Sequence, residues 1–222
     1  MRPEDVHIHR RDDYDLEFHI VGTSDTLLVK NYFGYYRRGT IERVNFADGT
    51  VWKLPELLEK ARHVNGTDGD DMLYGYSDQD DILNGGKGND RIEGRYGDDT
   101  YQFAKGDGAD TIYDYRGNDT LTTDRLAQQV IFERRGNDLR VLFENSSDSI
   151  TISKRYSKLN TAIETFQAAD GSTISDTQVQ QLIQAMASWS NDNGGLSWSQ
   201  ALATNPGDVQ AIVAQYWHAP TA

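Results

Sequence analysis

Between Val64 and Thr122 a large apolar residue recurs about every nine positions, with an Asp two places before it each time. The apolar positions are Leu73, Leu83, Ile92, Tyr101, Ile112 and Leu121, and the acidic ones are Asp71, Asp81, Asp90, Asp99, Asp110 and Asp119. This period fits neither an amphipathic helix nor a long alternating strand. It predicts very short strands, about three residues each, separated by tight turns, with one side chain per unit directed into a narrow core. Outside this stretch the pattern changes. Strands are expected at 15–19, 26–30, 139–143 and 149–153, with Asp-Gly turns at 48–49 and 170–171. Pro55 opens a helix ahead of Leu57 and Leu58. Ser175 and Gln178 have capping-box spacing before an i, i+3, i+4, i+7 stripe of Val179, Leu182, Ile183 and Met186, read as core. A short helix is expected at 208–216.

The repeating stretch resolves into nine-residue units beginning at Gly66, Tyr76, Gly85 and Gly94, followed by two looser ones beginning at Lys105 and Asp114. Gly75 is an insertion, and Phe103 and Ala104 are left over between units four and five. Glycine fills most turn positions, where backbone carbonyls can approach closely. Unit two departs from this, with Gln79 where a turn glycine belongs.

Composition sharpens the picture. From Val64 to Thr122 there are fourteen Asp or Glu against five Lys or Arg, and eleven of the chain's twenty glycines. That is a net −9 out of the chain's −13. Such a stretch reads as disordered unless something neutralises it. With a pI near 4.7 and a mean hydropathy of −0.69, the surface is wrong for nucleic-acid phosphates and right for cations. No cysteine is present, which excludes disulfides and thiolate zinc sites. The N-terminus has no apolar signal-peptide core, and no run approaches the length of a membrane span.

The units match Gly-Gly-x-Gly-x-Asp-x-U-x, the calcium-binding β-helix nonapeptide. The stretch resembles the RTX (repeats-in-toxin, haemolysin-type calcium-binding) family. That resemblance implies a parallel β-roll with calcium held between each turn and the turn two repeats later, about four ions for six units. The ligands it implies are the side chains of Asp71, Asp81, Asp90, Asp99, Asp110 and Asp119 and the backbone near Gly66, Gly69, Gly86, Gly88, Gly97, Gly108 and Gly117. Asp68 joins them as a candidate, and Asp78 and Asp80 are expected to compensate for Gln79. An EF-hand loop is absent.

A longer repeat flanks the roll. Arg10-Arg11, Asp15-Leu16, Asp25, Ile41-Glu42 and Ala47-Asp-Gly-Thr50 match Arg134-Arg135, Asp138-Leu139, Asp148, Ile163-Glu164 and Ala169-Asp-Gly-Ser172 at near-equal spacing. Copy two, with its Leu182-Ile-Gln-Ala-Met186 ending, resembles the haemolysin-type calcium-binding-related domain that follows nonapeptide blocks. The expected fold is therefore all-β dominated: a β-roll at 63–122, flanked by β-rich capping units at 1–62 and 123–188 that each end in a helix, then a tail at 189–222. A folded flank would cover the open edges of the roll. Copy one is expected to have closed an earlier roll, making the chain the C-terminal part of a longer protein.

Ala187–Ala222 contains no Lys or Arg. In position and composition it is similar to the type I secretion signal of RTX proteins, so secretion machinery and upstream domains are the expected partners. His7 and His9 share one side of a strand, a spacing compatible with a transition metal, but copy two has Ile131 and Glu133 there. The aromatic and basic segment at 32–38 invites a ligand-binding reading. No serine elbow, zinc helix, phosphate loop or Rossmann fingerprint occurs.

These readings converge on a non-enzymatic, monomeric module, secreted or at the surface of a Gram-negative bacterium, disordered without calcium and folding with it outside the cell. The alternatives are a ligand-recognising adhesin segment and the non-catalytic scaffold of a secreted hydrolase. Any toxin, adhesive or hydrolytic activity would lie upstream of residue 1.

Overall fold

The computed structural model describes residues 1–10, 14–33, 41–77, 79–155 and 163–219. The first flank forms an antiparallel sheet of β1 (Val6–Arg10), β2 (Leu16–Ile20) and β3 (Thr26–Val29), then a hairpin of β4 (Arg43–Asn45) and β5 (Val51–Lys53) and a helix α1 (Leu54–Ala61). Val6, Ile8, Leu16, Phe18, Phe46, Trp52 and Leu57 give this unit a core of its own. Pro55 lies in the first turn of α1, where a missing N–H costs nothing, and Glu56 Oε2 accepts from the Lys53 amide at 3.1 Å.

The chain then winds through a parallel β-solenoid of about three turns. β6 (His63–Asn65), β8 (Ile82–Asn84), β10 (Thr100–Phe103) and β12 (Thr120–Thr123) stack in one sheet. β7 (Met72–Tyr74), β9 (Arg91–Tyr96) and β11 (Ala109–Arg116) stack in the other. The register aligns Leu83, Tyr101 and Leu121 across one sheet and Leu73, Ile92 and Ile112 across the other. All six side chains are buried, as the nine-residue period required. Two facing rows of one residue per strand make a core too thin to hold the coil alone. The extra residues are absorbed in the coil pitch. Equivalent aspartates lie 19 apart between units one and three, 18 between two and four, and 20 in the later pairs. Phe103, one of the two leftover residues, is buried and stacks on Phe143 with ring centroids 5.2 Å apart.

The second flank repeats the first: β13 (Val130–Arg135), β14 (Asp138–Phe143) and β15 (Ser149–Ile152), a β16 (Thr165–Gln167) and β17 (Thr173–Ser175) hairpin, and α2 (Asp176–Asp192). Its strands do more than cap. β15 pairs parallel with β11, and β16 pairs parallel with β12, so each six-stranded sheet runs from the roll into the flank without interruption. Ile152 and Phe166 carry the two inner rows one step further.

Ser175 caps α2 through the expected box, with its amide donating to Gln178 Oε1 at 2.9 Å. Val179, Leu182 and Met186 are buried, and Ile183 packs partly exposed beside them. The helix continues past the expected end of the flank to Asp192. The tail holds two helices, α3 (Trp198–Thr204) and α4 (Pro206–Val213). α4 lies close to the expected position, whereas α3 went unforeseen although Ser197 and Gln200 form a second capping box. Ala201, Leu202, Val209, Val213 and Trp217 join the core shared by the roll and the second flank, and Trp217 stacks on Phe132. Among the described residues no helix is long and apolar enough to cross a membrane.

Two rows of buried carboxylates as the candidate metal centre

The turns of the solenoid fall into two stacks, one from units one, three and five and one from units two, four and six. Within each stack the sixth-position aspartates form a ladder. The Asp71 amide donates to Asp90 Oδ1 at 2.8 Å and the Asp90 amide to Asp110 Oδ1 at 3.0 Å. On the other side the Asp81 amide reaches Asp99 Oδ1 at 2.8 Å, and the Asp99 amide reaches Asp119 Oδ1 at 2.9 Å. One carboxylate oxygen of each acceptor thus ties a coil to the one before it.

In Asp90, Asp99 and Asp119 the other oxygen is left over. Asp81, Asp90, Asp99, Asp110 and Asp119 are at most 3% exposed. Asp81 Oδ1, Asp90 Oδ2, Asp99 Oδ2 and Asp119 Oδ2 have no hydrogen-bond partner among the described residues. Burial pushes these carboxyls up, Asp81 to about 6, Asp110 to about 7 and Asp99 to about 8, the last helped by the charges of Asp81 and Asp114. Asp90 rises for the same reason. Buried carboxylate oxygens without donors are costly unless a cation meets them.

The turn carbonyls are the candidate backbone ligands. Gly97 (φ 128°) has no room for a side chain, because a Cβ there would run into the carbonyl of Gln79 in the turn beneath. Gly88 (φ 134°) stands in the same relation to the carbonyl of Gly69. The substitution of Gln79 for glycine therefore leaves its turn carbonyl in place. Gly86, Gly108 and Gly117 also have positive φ, whereas Gly66 and Gly69 do not. Carboxylate and carbonyl oxygens with no nitrogen or sulfur donor form a set suited to a hard cation such as calcium.

Some sequence-derived candidates lie elsewhere. Asp71, in the first coil, is only half-buried, and its Oδ2 accepts from the Thr67 amide at 2.6 Å. Asp68 is exposed and pairs with Lys87 Nζ at 2.7 Å, held outside the row by that contact. Asp80 does not turn inward to compensate for Gln79. Its Oδ1 accepts from the Asp98 amide at 2.9 Å, within an outer ladder in which Asp70 serves Asn89 and Asp98 serves Asn118. Asp78 lies outside the described residues.

Two functional residues escaped the nonapeptide reading. Asp114 occupies the first position of unit six, where units one, three and four have glycine. It is 1% exposed and accepts from the Tyr101 hydroxyl at 2.5 Å, and its Oδ1 has no hydrogen-bond partner among the described residues. Ligand oxygens of Asp99, Asp114 and Asp119 all lie within 4.8 Å of one another. Burial raises both Asp114 and Asp119, and the charge of Asp114 pushes Asp119 up further, to about 9. The signal was a paired departure from the repeat, Tyr101 at an eighth position and Asp114 at a first. Glu164 is the second residue. It stands two places before Phe166, as Asp119 stands before Leu121, and its Oε2 accepts from the Asp119 amide at 2.8 Å.

His7 and His9 lie on the exposed face of β1, where His9 Nε2 contacts Glu17 at 3.0 Å. Tyr32 is buried, with its hydroxyl donating to the Ile41 carbonyl at 2.8 Å, and Arg10 stacks over Phe33 at 3.8 Å. The rest of the 32–38 segment lies outside the described residues.

Comparison with known families agrees with this geometry. The RTX calcium-binding nonapeptide repeat (4 copies) matches residues 63–82, 76–104 and 106–125. The haemolysin-type calcium binding protein related domain matches twice, at 15–54 and 138–178. The chain is an RTX-type calcium-binding protein. The two domain matches fall on the two flanks whose strand order is the same, and the repeat matches fall on the solenoid. In this RTX protein the repeat and its second flank therefore form one continuous pair of sheets.

Proposed function

We propose that this chain is a calcium-dependent folding module of a secreted protein, unfolded during export and wound into its roll by calcium outside the cell. The observation that carries this reading is the ladder of buried aspartates, in which Asp81, Asp90, Asp99 and Asp119 each keep one oxygen without a hydrogen-bond partner among the described residues. Without a cation those oxygens oppose folding, and the thin core offsets little of that opposition. With calcium at about 10⁻⁴–10⁻³ M, the range of extracellular sites, the same oxygens join successive turns.

Four pairs of stacked turns, one–three, three–five, two–four and four–six, support about four ions. Asp81, Asp90, Asp99, Asp110 and Asp119, with turn carbonyls such as those of Gly69 and Gln79, would hold them. Calcium supplies positive charge there, and the protein supplies a preset spacing between coils. The second flank ends the ladder with Glu164 and covers the strand edges that a bare roll would expose. The tail would be read by type I secretion machinery before folding, since in the fold Val209, Val213 and Trp217 are buried. The module has no catalytic part in this reading, and any activity belongs to other domains of a Gram-negative exported protein.

A far-UV circular dichroism titration with calcium after chelator treatment, with magnesium as control, tests this. A cooperative gain of β signal with calcium alone is expected. A chain fully folded without calcium, and unmoved by it, overturns the reading.

A further inference from the structure

The two flanks are built alike but used differently. Asn31 and Lys154 both have positive φ, 55° and 59°, and their amides donate to Asp15 Oδ1 and Asp138 Oδ1, each at 2.8 Å. Phe18 pairs with Leu27 as Val141 pairs with Ile150, and Val44 pairs with Trp52 as Phe166 pairs with Ile174. The equivalence is thus residue by residue, and β3 and β4 correspond to β15 and β16.

In the second flank the far edges of those strands are where the roll attaches. The Ser149 and Ser153 amides donate to the carbonyls of Gly108 and Ile112 at 2.8 and 2.9 Å. The Thr165 amide donates to the Asp119 carbonyl at 3.0 Å, and Glu164 takes the Asp119 amide in return. Among the described residues of the first flank β3 is an edge strand, and β4 pairs with β5 alone. Leu27 is 58% exposed where its counterpart Ile150 is 0%. Glu42, the counterpart of Glu164, is exposed, and Ile41 is half-exposed where Ile163 is 0%. An edge with an uncovered apolar side chain on its core face is a template for another strand.

We propose that the open edges of β3 and β4 are a socket for the last coil of a second nonapeptide roll, placed ahead of Val6 in the same polypeptide. Its two trailing strands would accept hydrogen bonds from the Thr26 and Lys30 amides and cover Leu27. The amide of its last sixth-position residue would donate to Glu42. A second copy of this chain cannot supply that coil, because the trailing edges of its β11 and β12 already carry β15 and β16. The occupant is placed ahead of Val6 because the existing roll enters its own flank from that side, directly before Val130, the residue equivalent to Val6. This inference goes beyond the export reading and does not depend on it.

The test is a tandem chain in which residues 63–129 are repeated immediately ahead of Val6 of the full chain, compared with the unextended chain by hydrogen exchange in calcium. The Thr26, Lys30 and Arg43 amides are expected to exchange roughly 100-fold more slowly in the tandem. Leu27→Asp should return them to the rates of the unextended chain. Leu27 is exposed, so that chain tolerates the change, and Glu42→Ala provides a second, milder variant that should weaken the protection. Equal rates in tandem and unextended chains overturn the proposal, as does an added roll that gains no β signal in calcium. Protection of β3 in the unextended chain that grows with protein concentration also overturns it, by making a second copy the occupant. Failure of the export reading would show separately, as an unextended chain whose β signal ignores calcium.

Discussion

Glu164 Oε2 accepts the Asp119 amide at 2.8 Å, the same bond by which Asp119 Oδ1 accepts the Asp99 amide at 2.9 Å. A residue 45 positions further along the chain thus takes the next place in a ladder of nonapeptide aspartates. The roll ends by handing its hydrogen-bond pattern to the flank, which makes the last coil as well held as the inner ones.

Glu164→Ala is therefore expected to destabilise the calcium-loaded chain by about 1–3 kcal/mol, the cost of a buried amide left without its acceptor. Thermal unfolding in excess calcium measures it. Glu42→Ala, at the equivalent but exposed position of the first flank, should leave the midpoint unchanged. Equal effects at both positions would show that Glu164 has no special place in the ladder.

Asp114 brings a third carboxylate to the turn stack that already holds Asp99 and Asp119. Affinity at oxygen sites rises with ligand charge, and so does repulsion in the empty site. Asp114→Asn is expected to weaken the tightest calcium-binding step on the order of tenfold, while making the calcium-free chain more stable. Terbium luminescence excited through tyrosine gives a local readout, since Tyr101 donates to Asp114. Tyr101→Phe should dim that signal while leaving most calcium binding intact. An Asp114→Asn chain with unaltered affinity would place the carboxylate outside the ion's reach.

Much of the roll was legible because its period ties three things to one residue spacing: the glycine turn, the aspartate and the inward apolar side chain. Asp114 was hidden because it fills a glycine slot, so a consensus reading discards it as noise. Glu164 was hidden for a topological reason, since it lies within a second flank whose strands only the register shows to continue the roll. Helix α3 was missed although Ser197 and Gln200 cap it as Ser175 and Gln178 cap α2. Its seven residues are too few to show an apolar stripe. Whether Asp68 and Asp80 face inward was beyond the sequence as well, because both share a turn with a ladder aspartate and only the turn's path separates inner from outer carboxylates.

The close approach of Gly97 to the carbonyl of Gln79 predicts a position-specific cost. Gly97→Ala places a Cβ against that carbonyl in a backbone conformation, φ 128°, that side chains rarely adopt. Loss of more than about 3 kcal/mol is expected, together with loss of the ion shared by turns two and four, counted by calorimetric calcium titration. Gly136→Ala is the control, since φ is 61° there but nothing lies within 4 Å of the added Cβ, and it should cost only about 1 kcal/mol. Equal costs would mean that strain alone, and not the stacking of turns, sets the requirement for glycine.

The raised carboxyls give the calcium-free chain an inverted response to acid. In the unfolded chain aspartates titrate near 4, whereas in the calcium-free roll burial holds Asp81 near 6, Asp110 near 7 and Asp99 near 8. With Asp119 pushed up to about 9, the native state binds more protons than the unfolded state across this range, so stability falls as pH rises from about 4 to about 9 and levels off above. Below about 4 both states are protonated, and the stability these groups lend is at its full, constant value. Without calcium, β signal should therefore be strongest near pH 4–5 and fade towards neutrality, where protons no longer occupy the oxygens. Excess calcium should reverse the trend, since the ion and the protons compete for the same atoms, and calcium binding at pH 7 should release protons measurable in a weakly buffered titration. A calcium-free chain that gains β signal as pH rises would contradict the buried ladder, because only exposed or ion-paired carboxylates behave that way.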